Sequence, residues 1–302
     1  MAKLQNRPTI IRSMGFVPAH EEDKILATVD SGLDAIGMDM EDLTPRSGKQ
    51  AARDIFQSVA KQLSAKGVFV MARTNSIANG AEADLDAIVC PELHCVNIPK
   101  AESAQDVIDF CALLDKAEAN AGLPQGYTLV RPVIETALGI KWAFEIASAS
   151  DRVTYMGGVA GGFWGDLGAT MGMITGDGSE SFWHRGKVLV DVRAAGVMFP
   201  VGGGMIADRS PEAIRAFATQ NKNMGYTGMF IAASKPVVEV VNDVFTPTKA
   251  EIEDWKKTIP ILEKAEKEGN VAFKEGDRTF DTAGLERVRH LMDLARRLGL
   301  TD

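Results

Sequence analysis

Residues 35–64 read AIGMDMEDLTPRSGKQAARDIFQSVAKQLS. The apolar run up to Met40 has the length of a buried strand, and the acidic turn Asp39-Met40-Glu41-Asp42 closes it. From 45 to 64 the apolar residues recur at helical spacing. This unit repeats along the chain. Strand candidates at 10–17, 35–40, 68–72, 94–99, 128–134, 153–156, 197–201 and 228–232 alternate with amphipathic stretches such as 45–64, 103–117, 180–195 and 211–224. Such alternation predicts an α/β fold with a parallel sheet and helices on its faces. Periodicity does not separate a closed barrel from an open sheet, but a count of eight favours a (β/α)8 TIM barrel.

No Pro/Gly/Ser-rich linker divides the 302 residues, so the expectation is one TIM-barrel domain over 1–302. Two charged amphipathic segments, 249–268 and 282–298, form a C-terminal helical extension over about 249–302. It packs on its own barrel or on a neighbouring subunit, and both readings stay open.

Composition narrows the function classes. A net charge of −8 argues against a general nucleic-acid or anionic-membrane binder, which needs a basic face. Cys90, Cys95 and Cys111 match neither a zinc ribbon nor a C-x-x-C pair, which fits a reducing compartment. There is no apolar leader at the N-terminus and no run of about 18 apolar residues, so a soluble cytoplasmic protein is expected.

In a barrel, polar residues that follow a strand's apolar run reach the C-terminal mouth, where active sites sit. Four places qualify: Asp39-Met40-Glu41-Asp42, Arg73-Thr74-Asn75, Pro99-Lys100-Ala101-Glu102 and Glu135-Thr136. Acids and bases from four strands would converge on one mouth with room for a divalent cation. A hard cation such as Mg²⁺ takes one or two carboxylates plus water and substrate oxygens, and it polarises a carbonyl so that an enolate can form. Arg73 suits a substrate carboxylate or carbonyl through parallel hydrogen bonds.

Each of these side chains also has an ordinary structural use. Asp and Glu after strands cap turns and helices, and Lys100 and Glu102 can pair with each other at the surface. Glu135 stands apart because it follows Val133-Ile134 directly and precedes a small, apolar helix start. The acidic cluster at 39–42 repels itself unless a cation or an arginine intervenes.

Other motifs point away from other chemistries. The glycine-rich stretch 157–165 is a poor G-x-G-x-x-G and lacks the G-x-x-x-x-G-K-[ST] of a phosphate loop. Gly202-Gly203-Gly204 is either a turn or a place where backbone approaches a ligand. His20, His94, His184 and His290 have no metal spacing, and without G-x-S-x-G a serine hydrolase is not indicated.

Taken in order, the motifs resemble the citrate lyase β-subunit-like (HpcH/HpaI aldolase) family, which includes the malyl-CoA lyases. Arg12-Ser13…Phe16-Val17-Pro18 resembles R-S-x-L-F-V-P, and Asp39-Met40-Glu41-Asp42 resembles D-L-E-D. Arg73-Thr74-Asn75 is similar to R-x-N, and Ile98-Pro99-Lys100-Ala101-Glu102-Ser103 to L-P-K-x-E-S. Ile134-Glu135-Thr136-Ala137 matches I-E-T-A, and Val241-Asn242…Phe245-Thr246-Pro247 resembles V-N-x-x-F-x-P.

The resemblance implies a barrel that assembles as a homo-oligomer, trimer or hexamer. It also implies cleavage or formation of a carbon–carbon bond beside a carbonyl, with Mg²⁺ or Mn²⁺, on a small carboxylated substrate or an acyl-CoA. Carried over, Glu135 is a metal ligand, Arg73 binds and polarises substrate, and Glu41 and Asp42 serve catalysis by holding water or supporting the site. Arg12 lies at the substrate or CoA side of the mouth, and Lys100 joins substrate binding.

The departures are specific. The family's G-x-E-D-F/L segment places a metal-binding Asp four residues before D-L-G; here Asp166-Leu167-Gly168 is preceded at that position by Gly162. Either a lengthened loop lets Asp166 take over as the second ligand, or that protein ligand is missing; Asp166 is the candidate carried forward. The family's G-K-x-x-I-H-P reads Gly228-Met229-Phe230-Ile231-Ala232-Ala233-Ser234, and its D-G after the seventh strand reads Gly202-Gly203, so CoA dependence is open. A thioesterase-like hydrolase of the same fold and a non-catalytic ligand-binding barrel are the alternatives to a lyase.

Overall fold

The computed structural model describes residues 9–158, 167, 175–203 and 206–302. Gly162 and Asp166 lie outside the described residues. The chain divides into two compact units, Met1–Phe245 and Thr246–Asp302.

In the first unit, β1 (Ser13–Pro18), β2 (Ala35–Asp39), β3 (Phe69–Arg73), β4 (Cys95–Ile98), β5 (Leu129–Pro132), β6 (Val201–Gly202) and β7 (Gly228–Phe230) form one sheet. The order is β5-β4-β3-β2-β1-β7-β6, and every pairing is parallel. Helices such as Lys49–Ala65 and Ala104–Asn120 connect successive strands, as parallel pairing demands.

The sixth strand candidate, 153–156, forms an isolated bridge between Val153 and Val130 rather than a strand. Its neighbourhood nevertheless reaches both outer strands. Val130 N–H donates to Arg152 O at 3.0 Å and Thr154 N–H to Val130 O at 3.0 Å, while Val201 N–H of β6 donates to Tyr155 O at 3.4 Å.

Alternation along the strands sorts the side chains. Ile36, Met38, Val70, Ala72, Val96 and Val130 join one core with Phe56, Leu63, Phe110 and Leu114 of the helices. Each fully buried side chain of this size contributes roughly 1.5–3 kcal/mol, so this face holds the helices down. The alternate residues face the other way. In register across five strands they are Pro18, Asp39, Arg73, Asn97 and Arg131.

From β2 to β5 that inner row is polar, which an apolar strand pattern hides. Arg131 is fully buried and donates from Nη1 to Asn97 Oδ1 and from Nε to Tyr155 O, each at 3.2 Å. Burial pushes its guanidinium down to about 10. One level below Asp39, Gly37 is required: a Cβ there would sit 2.3 Å from the Phe16 ring.

The second unit contains the helices Lys249–Lys267 and Leu285–Arg297, close to the predicted 249–268 and 282–298, and a hairpin of Ala272–Glu275 with Arg278–Asp281 that the sequence pattern did not announce. Thr248 caps the first helix in a reciprocal box with Glu251. Ile252, Met292 and Ala295 form one small core, and Leu262, Phe280 and Leu285 another. No helix among the described residues is long and apolar enough to cross a membrane.

Candidate active site

The turn after β2 is built around Asp39. Its Oδ1 accepts from Glu41 N–H at 2.8 Å and its Oδ2 from Leu43 N–H at 3.0 Å, while Thr44 Oγ1 donates to its carbonyl at 2.7 Å. The same two oxygens receive Arg73 from β3, Nε at 2.9 Å and Nη2 at 2.6 Å. A carboxylate can accept about four such bonds, so Asp39 is saturated and its role is structural.

With Nε and Nη2 spent, Arg73 turns Nη1 toward the other acids. That atom lies 2.9 Å from Glu41 Oε2, 3.7 Å from Glu135 Oε1 and 4.0 Å from Asp42 Oδ2. The guanidinium also stacks 4.9 Å from the Phe16 ring centroid, a favourable face for a cation. Three strand ends thus meet at one arginine.

Glu135 follows β5 and precedes a helix start capped by Thr136, whose Oγ1 accepts from Gly139 N–H at 3.0 Å. Gly139 lets that helix approach the turn after β4, since a Cβ would lie 2.6 Å from Ala101 O. Both contacts hold the helix start that directly follows Glu135.

Burial dominates the electrostatics. It pushes the Glu41 carboxyl up to about 7, with Asp42 and Glu135 adding to the rise and Arg73 and Lys100 opposing it. Burial raises Glu135 as well, against the pull of Arg73 and Lys100. For Arg73, burial opposes the charge, but the bonds and charge of Asp39 outweigh it and hold the proton more firmly than usual.

Two oxygens in this cluster, Glu41 Oε2 and Glu135 Oε2, are buried without a hydrogen-bond partner among the described residues. For Glu41 Oε2 the nearby Arg73 Nη1 is an ion-pair neighbour out of hydrogen-bond geometry. An unsatisfied buried carboxylate oxygen is costly, and a cation bound there relieves the cost. No group of three or more His, Cys, Asp or Glu among the described residues forms a ready metal cage. Mg²⁺ does not need one, because it keeps several waters beside one or two carboxylates. Glu135 fits that donor set.

Of the sequence candidates, Arg73, Glu41, Asp42 and Glu135 come together. Lys100 follows β4 with a left-handed backbone, φ 47°, and its charge is felt by both Glu41 and Glu135. Arg12 is not brought to this group. It precedes β1 and grips Asp34, which precedes β2, through Nε at 2.9 Å and Nη2 at 2.7 Å, at the opposite ends of the strands. Asp166 lies outside the described residues.

Sequence reasoning missed Lys49, whose Nζ donates to the carbonyls of Met40 and Glu41 behind the acidic turn. It also missed a cleft of about 620 Å³ beside Phe16, lined by Val17, Pro18, Leu43, Lys24 and Lys235 among others. Lysines flanking an apolar floor are no linear motif, and only the fold assembles them.

Several known proteins resemble this chain. The family model for HpcH/HpaI aldolase/citrate lyase matches residues 12–234. The chain is 26% identical over 299 residues to the citrate lyase subunit beta of Leuconostoc mesenteroides subsp. cremoris, covering 98% of this chain and 97% of that protein. It is 27% identical over 291 residues to the L-malyl-CoA/beta-methylmalyl-CoA lyase of Rhodobacter capsulatus, covering 85% and 86%. The fold resembles the crystal structure of CitE from Mycobacterium tuberculosis in complex with magnesium, acetoacetate and coenzyme A, with TM-score 0.67, 21% identity and coverage of 96% and 98%. With more than half its length matched, the chain belongs to the HpcH/HpaI aldolase/citrate lyase family and is a carbon–carbon lyase.

Proposed function

We propose that this protein cleaves a carbon–carbon bond next to the carbonyl of a CoA-linked carboxylic acid, with a divalent cation bound at Glu135. The observation that carries the reading is the buried Glu135 Oε2, unpartnered among the described residues, on a carboxyl whose Oε1 lies 3.7 Å from Arg73 Nη1. Magnesium in the CitE complex supports the choice of Mg²⁺, and Mn²⁺ has the same preference for oxygen.

When bound, the cation supplies Lewis-acid polarisation of a substrate carbonyl and offsets the negative charge that develops during cleavage. The chain's own residues do the rest. Arg73, its plane set by Asp39, donates Nη1 to the substrate's carbonyl or carboxylate oxygen. Glu41, whose carboxyl burial pushes up to about 7, can give or take a proton near neutral pH. Asp42, exposed at the rim, holds water, and Lys100 adds positive charge for an anionic substrate. Asp166 is the proposed second ligand.

The cleft beside Phe16 takes the CoA arm. Its apolar floor suits the pantetheine chain, Lys24 and Lys235 suit phosphates, and its size falls in the ordinary range for ligand sites. We also propose that the sheet closes as an eight-stranded barrel with 152–155 in the eighth place. The hydrogen bonds of that segment to Val130 and Val201 support this.

The test is turnover of malyl- and citryl-type CoA thioesters with Mg²⁺, with Mn²⁺ and with a chelator, followed by product analysis. A metal-dependent split into an acyl-CoA and a free carbonyl acid is expected. Release of free CoA with the acid intact would identify a thioesterase instead and overturn the lyase reading.

A further inference from the structure

Lys49 opens the helix Lys49–Ala65 and lies outside the strand ends that carry the acids and Arg73. Its Nζ donates to Met40 O, to Glu41 O at 2.7 Å and to Asn75 Oδ1 at 2.9 Å. An ammonium has three donors and no acceptor, so these three partners satisfy it completely. Two belong to the acidic turn after β2, and the third to the Arg73-Thr74-Asn75 turn after β3.

Asn75 is itself anchored. Its N–H and Nδ2 both donate to Asp84 Oδ2, at 2.8 and 2.6 Å. The other oxygen of Asp84, a fully buried side chain, accepts from Arg53 Nε at 2.9 Å and Nη2 at 2.7 Å. A continuous polar chain therefore runs from Arg53 through Asp84, Asn75 and Lys49 to the carbonyl of Glu41.

The consequence falls on Glu41. Its N–H donates to Asp39 Oδ1 at 2.8 Å, and its carbonyl accepts from Lys49. With both backbone groups engaged, only its side chain can still rotate, and that side chain ends against Arg73 Nη1. Bonds with an ionised donor or acceptor are roughly twice as strong as neutral ones, so Lys49 on the carbonyl side and Asp39 on the N–H side are both firm tethers.

We infer that Lys49 is a positioning residue, which fixes the acidic turn so that the Glu41 carboxyl meets Arg73 and the substrate without touching the substrate itself. The inference rests on the role proposed above for Glu41. Lys100, by contrast, acts on Glu41 through its charge.

The experiment is a cycle of Lys49→Met, Glu41→Gln and the double variant, with kcat and KM for the CoA thioester and mass-spectrometric amide exchange. Lys49→Met should lower kcat about tenfold or more, as small misplacements of reacting groups do, with KM within about twofold of wild type. In the Glu41→Gln background the same change should cost nothing further. Amide exchange over residues 40–44 should accelerate while that of β5 stays unchanged, and Lys49→Arg should recover most of the rate. Losses that add in the double variant, or unchanged exchange at 40–44, would overturn the inference. A fully active Glu41→Gln enzyme would instead remove the proposed role of Glu41, while exchange at 40–44 still decides whether Lys49 anchors the turn. If Lys49→Met does not fold, Lys49→Gln carries the same cycle and the same two outcomes.

Discussion

Arg73 and Asp39 stand side by side in register on β3 and β2, joined by two parallel bonds of 2.9 and 2.6 Å. This pairing decides which edge of the guanidinium remains for chemistry. It also balances a charge that is almost entirely buried.

Replacing Asp39 by Ala should therefore harm stability before it harms anything else. The variant strands Arg73 without its partner and leaves the N–H groups of Glu41 and Leu43 without acceptors. Breaking a buried pair from one side costs about 3–5 kcal/mol. Urea unfolding measures this directly as a lower midpoint at constant slope. A cost below about 1 kcal/mol would contradict the structural role given to Asp39.

A second buried pair predicts an acid limit to stability. Arg152 donates to both oxygens of Glu118 at 2.7 Å, and the N–H groups of Thr128 and Gly126 donate to the same oxygens at 2.7 and 2.9 Å. Burial pushes the Glu118 carboxyl up, but Arg152 and the two N–H groups pull it further down, below the usual carboxylate range. A depressed folded-state pKa contributes stability that is present above the unfolded value and is lost as pH falls through the folded one. Unfolding free energy should decline below about pH 4 in the wild type. Glu118→Gln should flatten that decline and cost about 3 kcal/mol at neutral pH; an unchanged acid limb would contradict the assignment.

The cleft beside Phe16 makes a kinetic prediction. Lys24→Ala together with Lys235→Ala should raise KM for a CoA thioester about tenfold with little change in kcat, since the contacts are made equally before and during reaction. Wild-type KM should climb with salt, and that slope should shrink in the double variant. An unchanged KM would place the CoA arm elsewhere.

The sequence shows the sheet and its acidic mouth because both follow simple one-dimensional rules. An apolar run marks a buried strand, and charges at its end mark the mouth, which is how Glu41, Arg73 and Glu135 are found. The rules stop where a partner is distant in sequence. Arg12 stands in a motif-like opening, yet Asp34, 22 residues on, holds it at the strands' N-terminal side. Lys49 begins a helix and carries no pattern that links it to two turns.

Boundaries follow the same logic. The candidate at 153–156 has a strand's composition, but among the described residues its neighbourhood makes just two backbone bonds with Val130 of β5 and one with Val201 of β6. The hairpin in the second unit had a local signal, Phe273 and Phe280 flanking Gly276-Asp277, with Gly276 at φ 61°. Its charged strands hid that signal among helical segments.

Calorimetric titration of Mg²⁺ into wild type and Glu135→Gln, each with a small 2-oxo acid present, measures whether Glu135 holds the cation. The amide keeps the size of the side chain and one acceptor oxygen while removing the charge. Saturable binding is expected in the wild type, with a loss of about tenfold or more in affinity for the variant, whose melting temperature should not fall. Equal Mg²⁺ affinity in the two proteins would contradict it.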